Sequence, residues 1–362
     1  MRERQAHPAE TAGTEAAGGT GAATGDAAPP PRDEPLVWVT RGRLTENVHR
    51  GRICAVSADD GRLLAAVGDP DAPAFLRSTA KPVQALGALL AGAGEAFALD
   101  DRHVALMCAS HRGTAAQMEA LEELLRRTGL AEDLLAMRPD APLDEEAKAA
   151  WIRAGGQKRR LYHQCAGKHL GMLAWCKLRN WPLDGYIRPG HPAQQETLAR
   201  MAAWAGVPPA DVASAVDGCG LPTFAVPLRG IARMYGRLAF PDAAPEGESE
   251  AARRAAAAMQ RHPELVEGPG RLATLLLADP NIVAKSGAQG VFALGLKRQR
   301  VGAAIVVSDG AESALPAAVR AVLMRFGAWT PELEERFARW YPDGLVSATG
   351  EPAGRRVPAF RW

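Results

Sequence analysis

Ser78 and Lys81 lie three residues apart in the segment RSTAKP, which covers residues 77–82. At the start of a helix this spacing puts the hydroxyl and the amine on one face, within hydrogen-bond reach. A serine is a weak nucleophile until a neighbouring base activates it, and a buried lysine with a lowered pKa can be that base. The pattern is typical of Ser-Lys hydrolases, including the Ser-x-x-Lys enzymes that act on β-lactams. The alternative for this motif alone is a helix-capping serine followed by a solvated lysine.

Lysine is rare in the chain, since only seven of its 43 basic residues are lysine. A lysine in an arginine-rich sequence indicates a need for a compact amine that can lose its proton. Lys81, Lys168 and Lys285 each lie among small residues and glycines beside apolar runs, whereas the other four have surface-like surroundings. We therefore expect these three lysines to take part in a site.

Ser110 and Lys285 are two further candidates for proton chemistry. Ser110 follows an apolar run and precedes His111, so it can serve as a second nucleophile or a proton relay; a helix cap is the alternative. Lys285 lies in the segment AKSGAQG, where small residues allow close approach of the backbone. Its alternative is a glycine-rich turn before a strand that begins at Val291.

Two cysteines, Cys165 and Cys219, could hold a zinc ion together with a third donor. His163 and His169 are nearer to the usual donor set than Lys168, because an amine must lose its proton before it can bind a metal. Structural thiols are the alternative. The chain has five widely spaced cysteines and no export signal, which favours reduced thiols or metal ligands over disulfides.

The elements that would position these residues alternate in type along the chain. Strands at both ends with helices between them predict an α+β domain, its sheet assembled from the two ends of the chain. The predicted strands cover residues 36–41, 52–57, 62–67, 291–296 and 303–307, and the predicted helices cover residues 79–90, 168–179, 192–205, 222–238, 249–262 and 311–326, with one more that ends at Gly129.

Composition restricts the class of protein. Residues 1–34 are rich in Ala, Gly and Pro and are predicted to be a disordered tail, which leaves residues 35–362 as the catalytic domain. A net charge of +2 gives no reason to expect nucleic acid as a partner, and no apolar run approaches the length of a membrane span. We expect a cytoplasmic protein that acts on a small molecule.

Taken together, the segments RSTAKP, CASHRG, CAGKHLGM, DGCGLP and AKSGAQG resemble the bacterial L-asparaginase II family of the Rhizobium inducible, zinc-containing type, over residues 36–327. The resemblance implies a serine β-lactamase/glutaminase-like fold, an antiparallel sheet flanked by helices. It also implies a homodimer and the hydrolysis of L-asparagine to L-aspartate and ammonia.

The resemblance also assigns roles to residues. It implies two Ser–Lys pairs, Ser78 with Lys81 and Ser110 with Lys285, beside a zinc ion that water completes. The implied zinc ligands are Cys165, Lys168 and Cys219. Asp217 would hold the amino group of the substrate, and Arg77 and His169 would line the pocket.

The chain departs from the usual family pattern at Gln164, Ala166, Gln289 and Val306 and in the segment Met137-Arg138-Pro139-Asp140. Changes around a metal site can cost about 10–100-fold in affinity or activity. We expect them to affect the rate, the metal affinity and the substrate preference more than the reaction class. Two other readings remain open, a related Ser-Lys amidase, esterase or β-lactamase-like enzyme, and a weakened member that acts as a binding protein. Retention of the three lysines favours an enzyme.

Overall fold

The computed structural model describes residues 30–362, so most of the predicted tail, residues 1–29, lies outside the described residues. The strands are β1 (Glu34–Arg41), β2 (Leu44–Ser57), β3 (Leu63–Val67), β4 (Pro73–Phe75), β5 (Ala213–Val216), β6 (Pro222–Pro227), β7 (Ile282–Gly287), β8 (Val291–Leu296), β9 (Val301–Val307), β10 (Gly344–Val346) and β11 (Pro352–Pro358).

The helices are α1 (Lys81–Leu90), α2 (Ala93–Ala96), α3 (Asp101–Met107), α4 (Ala115–Thr128), α5 (Glu145–Arg153), α6 (Ala166–Leu178), α7 (Pro192–Ala205), α8 (Leu228–Ala239), α9 (Ser249–Arg261), α10 (Pro263–Val266), α11 (Leu272–Leu277), α12 (Leu315–Arg325) and α13 (Pro331–Trp340). A 3-10 turn, Arg77–Ala80, leads directly into α1. Of the helices in residues 30–362, none has the length and apolar character that crossing a membrane requires.

The main sheet has eight strands, in the order β10-β11-β1-β2-β9-β8-β7, with β3 also paired to β2. Every pair in it is antiparallel. The first half of β2 pairs with β1, and its second half pairs with β9 and β3. This long strand therefore joins the two ends of the chain in one sheet, as the sequence predicts. A smaller antiparallel sheet has the order β4-β6-β5.

Helices cover both faces of the main sheet. Successive side chains of a strand point to opposite faces, and in β9 Ala304 and Val306 belong to one apolar core while Ala303 and Ile305 belong to the other. The strand is consequently a continuous apolar run, which is typical of a strand that is buried on both faces. The predicted α+β class, an antiparallel sheet flanked by helices, is confirmed.

Helix α8 lies directly against the backbone of the sheet. A Cβ atom added to Gly302 would lie 1.9 Å from the carbonyl oxygen of Ala232, and one added to Gly295 would lie 2.1 Å from that of Tyr235. Only glycine allows this approach. The contact matters for the site because Tyr235 of the same helix donates a hydrogen bond to the carbonyl of Thr79 at 2.9 Å.

The prediction of one continuous helix over residues 222–238 is wrong. Residues Pro222–Pro227 form strand β6, which pairs with β4 and β5, and the helix begins only at Leu228. The elements that were not predicted are the strands β4, β5, β7, β10 and β11 and the helices α2, α3, α5, α10, α11 and α13. Strands β10 and β11 pair with each other, and β11 pairs with β1, at the edge of the main sheet.

Candidate active site

Segments far apart in the chain meet around one cavity of about 320 Å³. They are the 3-10 turn before α1, the loops after α3 and before α6, the β5–β6 turn, the loop after α10 and the end of β7. The lining residues include Arg77, Ser78, Ser110, Arg112, His163, Gln164, Cys165, Asp217, Cys219, Glu267, Arg271, Ser286, Gly287 and Glu312. The cavity thus gathers both candidate serines, both zinc-type cysteines and Asp217.

Ser78 occupies the 3-10 turn at the cavity wall. The hydroxyl of Thr79 donates to the carbonyl of Leu76 at 2.6 Å, and this hydrogen bond stabilises the turn. Arg77 has a φ of +48°, a left-handed conformation that costs a residue with a side chain about 1–2 kcal/mol. Backbone strain of this kind is concentrated at functional sites. Arg77 directly precedes Ser78, the predicted nucleophile.

Lys81 is completely buried at the first position of α1. Its Nζ donates to the carbonyl of Ala109 at 2.7 Å and to the Oγ of Ser110 at 2.8 Å. Burial lowers the pKa of Lys81 to about 8. The neutral amine is therefore readily available near neutral pH, so Lys81 can accept and return a proton at low cost.

Lys285 lies in β7 and is also completely buried. Its Nζ contacts the Oε1 of Glu267, which also accepts hydrogen bonds from the backbone N–H of Ser286 at 3.1 Å and from its hydroxyl at 2.5 Å. Burial raises the pKa of Glu267, but the charge of Lys285 and these hydrogen bonds outweigh burial and hold it below its ordinary value.

The structure pairs the lysines and serines differently from the expected pairing. Ser110 receives its hydrogen bond from Lys81, and within residues 30–362 no side-chain hydrogen bond joins Ser110 to Lys285 or Ser78 to Lys81. The buried charge of Lys285 is instead balanced by Glu267, a residue that we did not single out. Ser110 is held on the other side by its backbone N–H, which donates to the carbonyl of Val266 at 2.8 Å.

Cys165, Lys168 and Cys219 form a buried cluster beside the serines. Lys168 Nζ lies 3.1 Å from Cys219 Sγ. A hydrogen bond from Cys219 and the nearby amines hold the pKa of Cys165 well below that of an ordinary thiol, and the same hydrogen bond raises the pKa of Cys219. Burial lowers the pKa of Lys168, but the two thiols and Asp217 outweigh it and raise the pKa above its ordinary value.

Helix α6 is fixed close to α3, and this sets the distance between the cysteines and Ser110. A Cβ added to Gly167 would lie 2.1 Å from the carbonyl oxygen of Leu106. The first turn of α6, with Cys165 at its N-cap, therefore packs against the end of α3 without a side chain between them. Ser110 lies three residues after the end of α3.

Asp217 and Arg77 form an ion pair at the cavity wall, with Arg77 Nε 2.8 Å from Asp217 Oδ1. The other carboxylate oxygen of Asp217 lies 3.9 Å from Lys168 Nζ. His169 is fully buried, and its Nδ1 lies 2.6 Å from the hydroxyl of Tyr186. Burial lowers the pKa of His169 well below its ordinary value. It is not among the residues that line the cavity, contrary to expectation.

Sequence reasoning missed several charged residues of the cavity wall: Arg112, Glu267, Arg271 and Glu312. Each stands in a polar loop or a helix end, where the sequence indicates an ordinary surface charge. Within residues 30–362, no group of three His, Cys, Asp or Glu side chains is arranged to hold a metal ion. The amine of Lys168 is a further donor beside the thiols, 3.1 Å from Cys219 Sγ.

Solved structures to which the chain is similar include enzymes of the two kinds named by the predicted fold. A β-lactamase from Mycobacterium bovis is 14% identical, with 76% of this chain and 94% of that chain covered and a TM-score of 0.40. A probable glutaminase from Bacillus subtilis, complexed with 6-diazo-5-oxo-L-norleucine, is 16% identical over 80% of this chain and 83% of that one, at a TM-score of 0.31. A putative β-lactamase from Bacteroides dorei is 15% identical, with 71% of this chain and 84% of that chain covered and a TM-score of 0.36.

No curated protein matches the sequence significantly. The L-asparaginase II family model, in contrast, matches residues 37–358, which is nearly the whole described chain. The matched range contains every segment that converges on the cavity, including the Ser-x-x-Lys turn, the two cysteine segments and the strand of Lys285. The chain belongs to the L-asparaginase II family.

Proposed function

We propose that the protein hydrolyses L-asparagine to L-aspartate and ammonia, with Ser78 as the nucleophile. Family membership supports an amidohydrolase that acts on a small molecule. The observation that carries the proposal is Lys81, a fully buried amine with a pKa of about 8 that is hydrogen-bonded to Ser110 and stands three residues after Ser78.

In the first step, neutral Lys81 accepts the hydroxyl proton of Ser78 while Ser78 Oγ attacks the side-chain amide carbon of the substrate. The proton must then reach the leaving nitrogen, which departs as ammonia. The hydrogen bond from Lys81 to Ser110 offers a path, because the Ser110 hydroxyl can pass a proton on as it receives one from Lys81. Water hydrolyses the resulting ester by the reverse proton movements.

This assignment modifies the expected roles of the two pairs. Ser78 and Lys81 remain nucleophile and base, but Ser110 works with Lys81 as the relay. The charge of Lys285 is neutralised by Glu267, so we assign this pair a positioning role: it holds Glu267 and Ser286 in place at the cavity wall.

The substrate's amino group would bind to Asp217, as the family resemblance implies. Asp217 lines the cavity and can accept a second donor, since one of its oxygens contacts Arg77 and the other has only distant partners, Cys219 Sγ at 3.7 Å and Lys168 Nζ at 3.9 Å. Arg77 would then orient the carboxylate of Asp217. For His169 the buried contact with Tyr186 suggests support of the wall instead of contact with the substrate.

The donor chemistry of the cysteine cluster fits a zinc ion. Two sulfur atoms and one nitrogen atom lie together in a buried place, and Cys165 is readily deprotonated. Lys168 must lose a proton before it can bind the metal, and the positive charge of zinc would favour that loss. We propose that Cys165, Lys168 and Cys219 hold the ion. When bound, zinc would fix the position of these residues and supply positive charge near Asp217.

An ammonia-release assay tests the proposal, with asparagine, glutamine and a chromogenic ester as alternative substrates. We expect asparagine to be preferred, and Ser78→Ala to lower its kcat by a factor on the order of 10⁴ or more. Preference for the ester would indicate a different substrate class for the same residues. Near-full ammonia release by Ser78→Ala would contradict the proposed nucleophile.

A further inference from the structure

The charged side chains that line the cavity are paired with one exception. Three carboxylates of the cavity wall each have a basic partner: Asp217 has Arg77 at 2.8 Å, Glu312 has Arg271 at 2.8 Å, and Glu267 has the buried Lys285. Arg112 also lines the cavity, and residues 30–362 place no carboxylate within ion-pair distance of it. Its guanidinium is therefore a positive charge in the cavity that the described chain leaves without a counter-charge.

The backbone of Arg112 is rigidly held. Its N–H donates to the Oε1 of Gln117 at 2.8 Å, and its carbonyl oxygen accepts hydrogen bonds from the N–H groups of Leu143 and Asp144, each at 2.8 Å. The segment begins two residues earlier at Ser110, which is itself bound by Lys81 and by the carbonyl of Val266. Arg112 is thus tied to the same anchored loop as the proposed proton relay.

The side chain of Arg112 is also positioned in advance. Its Nη2 donates to the carbonyl of Leu143 at 2.8 Å, and its Cδ would lie 3.4 Å from a Cβ added to Gly268, the residue after Glu267. A guanidinium has five N–H donors, and this structure assigns one of them to a protein acceptor. The remaining donors can bind a carboxylate in the two-point manner that suits arginine, and little side-chain freedom would be lost.

We propose that Arg112 binds the α-carboxylate of the substrate and so makes the enzyme selective for amides of amino acids that carry a free carboxylate. The inference rests on the proposed function. Arg77 is less suited to this role, because its Nε is already bound to Asp217, the expected partner of the substrate's amino group. Asp217 would bind the amino group of the substrate and Arg112 its carboxylate. Binding at these two separate positions would also fix the direction in which the side-chain amide extends toward the serines.

The test compares L-asparagine with 3-aminopropanamide, which is asparagine without its α-carboxylate. For Arg112→Gln we expect kcat/KM for asparagine to fall about 10–100-fold, the range for a lost hydrogen bond to a charged group. The value for 3-aminopropanamide should change less than about threefold, because that substrate has nothing for Arg112 to bind. Arg112→Lys should give an intermediate loss, since it keeps the charge but not the two-point geometry.

Arg253→Gln is the control, because Arg253 pairs with Asp242 and Glu250 and is not among the residues that line the cavity. It should leave the ratio of the two substrates within about threefold of the wild-type ratio. Circular dichroism and a thermal melt identify any variant that fails to fold, in which case Arg112→Lys alone decides. Equal losses on both substrates, or no loss on asparagine, would overturn the role of Arg112 while the proposed function stands.

If the wild type hydrolyses neither amide, the proposed function fails, and binding still tests Arg112. Calorimetric titration with L-aspartate, the proposed product, would be compared between the wild type and Arg112→Gln. Weaker binding to the variant by about 10-fold or more supports a carboxylate site at Arg112. Equal binding, or no binding to either protein, overturns it.

Discussion

Replacing Glu267 with glutamine would leave the buried charge of Lys285 without its counter-charge. Both side chains are nearly inaccessible to solvent, with side-chain exposures of 3% for Glu267 and 0% for Lys285. Removal of one partner of a buried ion pair costs about 3–5 kcal/mol, because the other charge stays buried. Glutamine keeps an acceptor oxygen for the N–H and hydroxyl of Ser286. We therefore expect Glu267→Gln to lower the free energy of unfolding by an amount near the lower limit, about 3 kcal/mol at pH 7.

The assay is denaturant unfolding followed by tryptophan fluorescence, which gives the free energy of unfolding for each variant. Glu250→Gln is the matched control, since Glu250 pairs with Arg253 on the surface and its side chain is 84% exposed. Exposed ion pairs contribute about 0–1 kcal/mol, so Glu250→Gln should leave the free energy of unfolding nearly unchanged. Replacing both partners, Glu267→Leu with Lys285→Met, should recover most of the loss, because no unpaired charge is then buried.

The pH dependence has a definite sign. The folded-state pKa of Glu267 is below its ordinary value of 4.5, so its carboxylate stabilises the fold above that pH, and the effect disappears as the pH falls through the lowered value. The difference between wild type and Glu267→Gln should therefore shrink in acid below about pH 4.5. A loss under 1 kcal/mol at pH 7, or a difference that grows in acid, would refute this account of the pair.

Two other perturbations test the positioning of the site. The base Lys81 must be neutral, and its pKa in the free enzyme is about 8, so kcat/KM for asparagine should rise as the pH passes through about 8. Lys81→Arg should lose this limb together with nearly all activity. A flat kcat/KM profile between pH 6 and pH 9, measured by ammonia release, would contradict this role of Lys81. Gly167→Ala brings a Cβ to 2.1 Å from the Leu106 carbonyl oxygen and should lower the free energy of unfolding by about 1–3 kcal/mol in the same denaturant assay. The control Gly190→Ala has open space around its Cβ position and should change that free energy by under about 1 kcal/mol. Equal effects of the two variants would show that the contact between Gly167 and Leu106 is not tight.

Much of the fold followed from local patterns in the sequence. Residues 53–56 of β2 and the strands β8 and β9 are continuous apolar runs, and this signal does not depend on distant residues. The exposed first half of β2 has no such run and was not predicted. Strand β6 was mistaken for the start of a helix because its mostly apolar sequence, PTFAVP, continues into the amphipathic helix α8. Pro227, which directly precedes the helix, marked the true boundary.

The residues of the site were easier to predict than their partners. Residue type and the scarcity of lysine predicted Ser78, Lys81 and Lys285 as site residues, and the structure places Ser78 at the cavity wall and both lysines in buried positions. The hydrogen bond from Lys81 to Ser110 and the ion pair of Lys285 with Glu267 depend on how α3, α10 and β7 meet. Glu267 lies in the segment ELVEGPG, which looks like an exposed loop, and only the tertiary structure places its carboxylate against a buried amine.

The central claim is that Ser78 is the nucleophile and Ser110 the relay. A reactive diazoketone analogue of asparagine, followed by proteolysis and mass spectrometry, would identify the labelled residue in the wild-type protein. The account predicts that the label is on Ser78, that it still forms on Ser78 in Ser110→Ala, though more slowly, and that excess L-aspartate protects against it. Labelling of Ser110 in the wild type, with Ser78 unmodified, would contradict the account.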